Sequence, residues 1–242
     1  MKFFLSLSLL LLLSPLKSYT QHLSLIEYKG ELGTSIGTTA YKGQIGGKQK
    51  TYHTNFSLFY RKLLSNNFGV RFNYEYIPLE ANDMYSNQSI INNRGFRFNR
   101  TFHEMNILFE YFLRKNKITD IKNKLNPFLG IGMGYILNLP TNENNFVNYK
   151  NSQQKLIAQF WPICTIPINI GICYKLGNDL NIFGEFTFRY TTSDLVDNFE
   201  TATTVTRNGN TYTAENNGND KFYSVKLGLT TTLIKRFAPD KK

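Results

Sequence analysis

Apolar and polar positions alternate along most of this chain. In Phe68–Glu80 one parity holds Phe68, Val70, Phe72, Tyr74 and Tyr76, and the other holds Gly69, Arg71, Asn73 and Glu75. A strand points successive side chains to opposite faces, so this segment is a strand with one apolar and one ionic face. Seven further segments repeat it. Around Ile26–Ala40, Leu32 and Ile36 oppose Glu31, Gly33, Ser35 and Gly37, and in Tyr52–Lys62, Phe56, Leu58 and Tyr60 oppose Asn55, Ser57 and Arg61. Phe98–Leu113 sets Met105, Ile107, Phe109 and Tyr111 against Arg100, Glu104, Asn106 and Glu110. Pro127–Leu137 alternates Leu129, Ile131, Met133 and Tyr135 with Gly130, Gly132 and Gly134.

The last three follow suit. In Ile166–Lys175, Ile168, Ile170, Ile172 and Tyr174 oppose Asn169 and Gly171, and in Leu180–Thr191, Ile182, Phe186, Phe188 and Tyr190 oppose Asn181, Glu185, Thr187 and Arg189. Phe222–Ile234 sets Val225, Leu227 and Leu229 against Ser224, Lys226, Gly228 and Thr230. Breaks in pairing are expected near Pro78, Pro162 and Pro167, because proline donates no ladder hydrogen bond.

The connections alternate too. Those near Ser65 and Gly177 are tight turns, Arg114–Asn126 is intermediate, and the links after the third, fifth and seventh strands are long. Short turns on one side and long loops on the other characterise outer-membrane barrels. The expected fold is all-β: an eight-stranded antiparallel transmembrane β-barrel with short periplasmic turns and long extracellular loops.

A soluble eight-stranded carrier would share the alternation, so the question is which face meets water. The glycines fall on the ionic parity, where a narrow concave lumen needs small residues among large ones. The ionic parity also nearly balances in sign, as a buried set must. The expected lumen network comprises Arg71, Glu75, Arg100, Glu104, Glu110, Glu185 and Arg189. The apolar parity carries almost no charge through its centre and ends in tyrosines, as a lipid-facing band with an interfacial girdle does.

The amino terminus fits this reading. Lys2 precedes the apolar run Phe3–Leu13, and Ser18 and Thr20 stand where a signal peptidase reads small residues. Residues 1–20 are expected to be a cleaved signal peptide, and residues 21–242 a single barrel domain in the outer membrane. The formal charge of +11 would point to nucleic acid in a cytosolic protein. Export, with no nucleic-acid motif present, removes that partner and leaves outer-membrane lipid and lipopolysaccharide. Cys164 and Cys173, nine positions apart on one extended segment, are too distant to pair and read as free thiols.

Candidate chemistry is thin. His103 and Glu104 are adjacent in a strand and point to opposite faces, while His53 and Ser57 share a face two strand repeats apart. Neither makes the triad that a lipid-modifying barrel enzyme requires. The run Gly-Ile-Gly-Met-Gly (130–134) lies within a strand and opens no helix, so it is no phosphate loop. No cysteine–histidine spacing suggests zinc. No enzyme activity and no cofactor are expected.

Loop charge is more informative. Arg114, Lys115, Lys117, Lys122 and Lys124 crowd one turn with only Asp120 opposing them, which makes that turn the candidate contact for a periplasmic partner. The tail adds Lys235, Arg236, Lys241 and Lys242, whereas Thr192–Asp220 is acidic.

Four stretches carry a family resemblance. ELGTSIGTTAYKG (31–43), RGFRFNRTFHE (94–104), NPFLGIGMGYI (126–136) and EFTFRYTTSDLVDNF (185–199) resemble strands of the PorG-like outer-membrane barrels of Bacteroidetes. The last is the most specific, with Glu185, Arg189, Ser193, Asp194, Val196, Asp197 and Phe199 at matching positions. Gln44, Leu195 and Asn198 depart from the pattern, where the family commonly has Asp, Tyr and Asp. The resemblance implies a component of the type IX secretion system that associates with the periplasmic PorK/PorN ring, with Asp194 and Asp197 in a motif loop. Two other classes of function stay open: a general structural or adhesive barrel acting through its outer loops and, behind it, a lipid-A-modifying barrel enzyme.

Overall fold

The computed structural model of the protein describes residues 27–43, 51–86, 89, 93, 97–114, 124–138, 163–177, 179–192, 203–207, 210–214 and 220–236. Residues 1–20, Pro162, and Asp194 and Asp197 of the motif loop lie outside them. The strands are β1 (Glu27–Lys42), β2 (Tyr52–Leu63), β3 (Phe68–Asn82), β4 (Arg97–Phe112), β5 (Leu125–Asn138), β6 (Ile163–Lys175), β7 (Leu180–Thr191), β8 (Thr203–Arg207), β9 (Asn210–Ala214) and β10 (Lys221–Arg236). Eight of them close in the order β1-β10-β7-β6-β5-β4-β3-β2, each pairing antiparallel with its neighbour in the registers resolved. This is an eight-stranded transmembrane β-barrel. Closure matters because hydrocarbon cannot satisfy an open strand edge.

By contacts, Lys29–Leu233 form one compact unit, which holds the barrel. The terminal segments form a second, of which only residues 27–28 and 234–236 are described. The strands β8 and β9 pair with each other in a separate two-stranded sheet inside the long link after β7. The alternation had marked that whole link as loop.

Burial follows the two parities. Phe72, Met105, Phe109, Ile131, Met133, Ile170 and Leu227 are half or more exposed, while Arg61, Arg71, Glu75, Glu104 and Arg189 are 0–1% exposed. The apolar face points out to lipid and the ionic face into the lumen. The ladder passes Pro78 without a break, pairing it with Thr101. Between β5 and β6 it is interrupted from Ile131↔Ile168 to Gly134↔Thr165, next to Pro167, whose missing N–H removes a rung.

Two turns close tightly. Leu64 and Ser65 both donate backbone N–H groups to the Phe68 carbonyl (2.9 and 3.1 Å), and Ser65 Oγ accepts from the Asn67 and Phe68 amides. Between β6 and β7, Leu176 and Gly177 donate to the Leu180 carbonyl.

The lumen is layered. Toward the β2–β3 turn an apolar cluster of Phe59, Leu63, Phe112, Phe128, Cys173 and Phe183 fills it. Three of these phenylalanines lie over the glycine registered opposite on the adjoining strand: Phe59 over Gly33, Phe128 over Gly171 and Phe183 over Gly228. A Cβ at any of the three glycines would press into the ring, and at Gly171 and Gly228 also into the backbone oxygens of Gly184 and Thr34. Nearer the β3–β4 connection, Ile77, Leu79, Phe102, Ile136, Ile163 and Phe222 are buried on the same inward parity.

Gly171→Ala tests this packing. Its added Cβ must displace the Phe128 ring, and overpacking of this kind costs about 1–3 kcal/mol. The urea midpoint of the refolded barrel should fall, and Phe128→Leu in the same chain should restore part of the loss. An unchanged midpoint for Gly171→Ala would refute the seating role.

Candidate functional site

Between the two apolar layers the lumen holds a continuous set of ion pairs. Arg71 Nη2 donates to Glu185 at 2.5 Å and Arg189 Nη2 donates to Glu75 at 2.5 Å. In the ring order β3 and β7 are four strands apart, so these two bridges cross the barrel at its full width. Lys226 Nζ joins them, 2.9 Å from Glu75 and 3.0 Å from Glu185. Arg189 Nε reaches Glu104 at 2.6 Å, and its Nη1 donates to Ser224 Oγ at 2.9 Å.

A second limb runs toward the apolar cluster. Arg61 pairs with Glu31 at 2.6 Å and, through two guanidinium nitrogens, with Glu110. Arg71 Nε lies 3.1 Å from the same Glu110 and so connects the limbs. Neutral donors saturate the remaining carboxylate oxygens. Asn55 and Asn73 donate to Glu75, Thr165 donates to Glu104, and Thr187 donates to Glu185. Charges so deeply buried are tolerable only when paired and hydrogen-bonded, and here each named carboxylate meets at least one cation.

The network is anchored to the aromatic layers by cation–π contacts. The Arg61 guanidinium sits 5.3–5.5 Å from the ring centres of Phe59, Phe112 and Phe128, and Arg71 lies 4.9 Å from Phe59. At the other side Arg189 lies 5.3 Å from Phe222. The arginines therefore serve both the ionic and the apolar layers, which a lysine's point charge would do less well.

Of the expected lumen set, Arg71, Glu75, Glu104, Glu110, Glu185 and Arg189 meet in this one network. Arg100 is also inward and buried, but it pairs in register with Leu79, in the apolar layer beyond Phe102. Arg61, Glu31 and Lys226 belong to the network and stood outside that set. Their place on the ionic parity was the signal, and only the register shows their partners. Cys164 and Cys173 are free thiols, the second inside the aromatic cluster.

Of the basic turn, Arg114 and Lys124 are described, and both are exposed. Arg114 is held at the start of the turn, its backbone N–H donating to Asn126 Oδ1 (3.2 Å) and its side chain to the Leu125 carbonyl. Lys115, Lys117 and Lys122 lie outside the described residues. Neither described histidine, His53 or His103, meets a serine nucleophile among the described residues. His53 lies 3.1 Å from Glu80, while His103 Nδ1 is hydrogen-bonded to the Tyr74 hydroxyl on the lipid-facing side. Among the described residues no group of three or more His, Cys, Asp or Glu side chains is arranged to hold a metal ion.

Arg189→Met strips Glu75 and Glu104 of a shared cation. Breaking a buried pair from one side costs about 3–5 kcal/mol, so the refolded barrel should lose that much in urea titration. Adding Glu104→Gln should recover part of it by removing one stranded charge. A loss below about 1 kcal/mol would mean that the pair is not desolvated.

Several solved barrels are similar in fold. Neisserial surface protein A shares 8% identity, covering 84% of this chain and 97% of its own, with a TM-score of 0.49. Ail, the attachment invasion locus protein of Yersinia pestis, shares 10% over 86% of this chain and 100% of its own, with a TM-score of 0.44. The outer membrane protein OprG from Pseudomonas aeruginosa shares 10% over 86% and 95%, with a TM-score of 0.41. No curated protein matches the chain in sequence. A family model, by contrast, matches residues 6–237, and the chain belongs to that family, the Domain of unknown function DUF6089.

Proposed function

We propose that this protein is a non-enzymatic outer-membrane barrel that serves type IX secretion, holding a periplasmic ring assembly at the membrane through its turn side. The observation that carries the reading is the filled lumen. Among the described residues, apolar side chains fill the lumen on both sides of the ion-pair network, which favours a barrel without a wide aqueous path. A barrel built this way is a rigid stake, and its work is done by what it displays at its rims.

The turn side has the stronger chemistry of the two. Its sequence carries Arg114, Lys115, Lys117, Lys122 and Lys124 against Asp120, an excess of cations that suits an acidic periplasmic partner. The resemblance to PorG-like barrels supplies the identity of that partner in this reading: the secretion ring. A structural or adhesive barrel acting outward is the second reading, favoured by the β8–β9 hairpin carried on the long link after β7.

Two measurements follow. In planar bilayers the refolded protein should give no steady conductance, and large single-channel steps would refute the filled-lumen basis of the proposal. Reversing Lys117, Lys122 and Lys124 to Glu should leave the barrel inserted, because all three fall in the connection between β4 and β5 rather than in a strand. The same change should weaken co-purification of the periplasmic partner, with wild-type binding itself falling as salt screens the contact. If the triple variant secretes normally and retains the same partners, the outward-acting reading takes over.

A further inference from the structure

The ion-pair network does not balance in charge. Among the described residues Glu31, Glu75, Glu104, Glu110 and Glu185 meet Arg61, Arg71, Arg189 and Lys226, which leaves one carboxylate in excess. Toward the long links the buried Asp83, Arg100 and Asp220 add two acids and one base, so they do not cancel it. A charge left over in a dry interior is among the costliest things a fold can hold. The register shows where the excess gathers. Glu75 on β3 and Glu104 on β4 stand directly opposite each other, and like charges so placed repel. They share the Arg189 guanidinium, and Lys226, the other cation at Glu75, is itself shared with Glu185.

A second, independent feature lies beside it. Asn73 and Asn106 form the next inward cross-strand pair. Asn106 is 4% exposed, and neither its Oδ1 nor its Nδ2 has a hydrogen-bond partner among the described residues. Asn73 donates through Nδ2 to Glu75, but its Oδ1 is buried without a partner. The neighbour of Asn106 on β5 is Gly134, which has no side chain of its own. A Cβ there would lie 2.7 Å from Asn106 Cβ, 2.7 Å from Thr165 Oγ1 and 3.1 Å from Glu104 Oε1, so three polar side chains converge over this one glycine. Glu104 Oε1 accepts the Thr165 hydroxyl and keeps a second lone pair.

We propose that this corner of the lumen binds one monovalent metal cation of the sodium type, held by Glu104 Oε1, Thr165 Oγ1 and the amide oxygens of Asn73 and Asn106. The donors are all oxygen, the ligand set of hard cations. The ion's charge follows from the network, since one excess carboxylate calls for one positive charge and a divalent ion would reverse the imbalance. A monovalent ion also needs no cluster of three acids or histidines, and none is arranged for a metal among the described residues. Each rival occupant answers half of the problem. A water would satisfy the amides and leave the charge, whereas a proton on Glu104 would cancel the charge and leave the amide oxygens bare. A cation answers both. It ties β3, β4 and β6 at one point, so only the folded barrel can hold it.

The test uses the barrel refolded in a zwitterionic detergent, with sodium chloride replacing choline chloride at constant ionic strength. Choline is too bulky for the packed lumen. At a fixed urea concentration the unfolding equilibrium constant of wild type should fall by up to about tenfold for each tenfold rise in sodium, the slope for one ion bound by the folded state alone. Asn106→Leu and Glu104→Gln should each flatten that slope. Asn169→Ala, on β6 and outside the proposed site, should keep it. Shift on an unheated gel confirms that each variant is folded, either site variant can stand in for the other, and the wild-type titration decides alone if neither folds. A wild-type constant indifferent to sodium would overturn the proposal. If it then falls as the pH is lowered, the excess carboxylate carries a proton instead. A slope that survives in both site variants would place the sodium effect elsewhere and overturn the proposal as well.

Discussion

The interaction on which this barrel depends is the reciprocal pair of ion bridges between β3 and β7. Hydrocarbon forces the strands to close, and eight strands leave a lumen barely wide enough for side chains. Whatever points inward must therefore meet whatever points inward from the far wall. The third strand carries Arg71 and then Glu75, four residues on. The seventh carries Glu185 and then Arg189, at the same spacing and in the opposite order. Alternate strands of an antiparallel barrel run the same way, so each cation faces an anion across the full width. Exchange the order on one strand alone, and like charges would meet in a dry interior.

That requirement reaches into the apolar layers. A guanidinium that reaches across the lumen is long, and its flat face needs a neighbour. Arg61 and Arg71 meet Phe59, Phe112 and Phe128, and Arg189 meets Phe222. Those rings in turn need somewhere to lie in a narrow tube, and Gly33, Gly171 and Gly228 leave room for Phe59, Phe128 and Phe183. Charge pairing, aromatic stacking and glycine placement form one packing problem. A change at Gly171 is felt at Phe128 and from there at Arg61.

The strand number, the faces and the closed antiparallel architecture were legible in the alternation, because a period of two reports directly on which face is greasy. The lumen carboxylates and arginines were legible for the same reason. The inward phenylalanines were not. Phe59, Phe112, Phe128 and Phe183 sit on the ionic parity, and a two-letter reading of the pattern has no place for an apolar residue there. Their reason emerges only from register, which pairs three of them with glycines that had been read as general relief of crowding. Register likewise decides that Glu31, Arg61 and Lys226 complete the network, and that Arg100 lies level with Leu79. The β8–β9 hairpin escaped because Thr203–Arg207 and Asn210–Ala214 are only five residues each, and their apolar positions, Val205, Tyr212 and Ala214, make too short an alternation to stand out.

A lumen packed in this way also constrains how the two rims can influence one another. Transmission between sites needs an element with two discrete arrangements. Here the inward row of each strand is committed to partners on several others, and moving Glu75 alone would disturb Arg189, Lys226, Asn55 and Asn73 together. The barrel is thus a poor relay and a good spacer. Any coupling between the two sides must then arise outside the barrel wall, in whatever the rims hold.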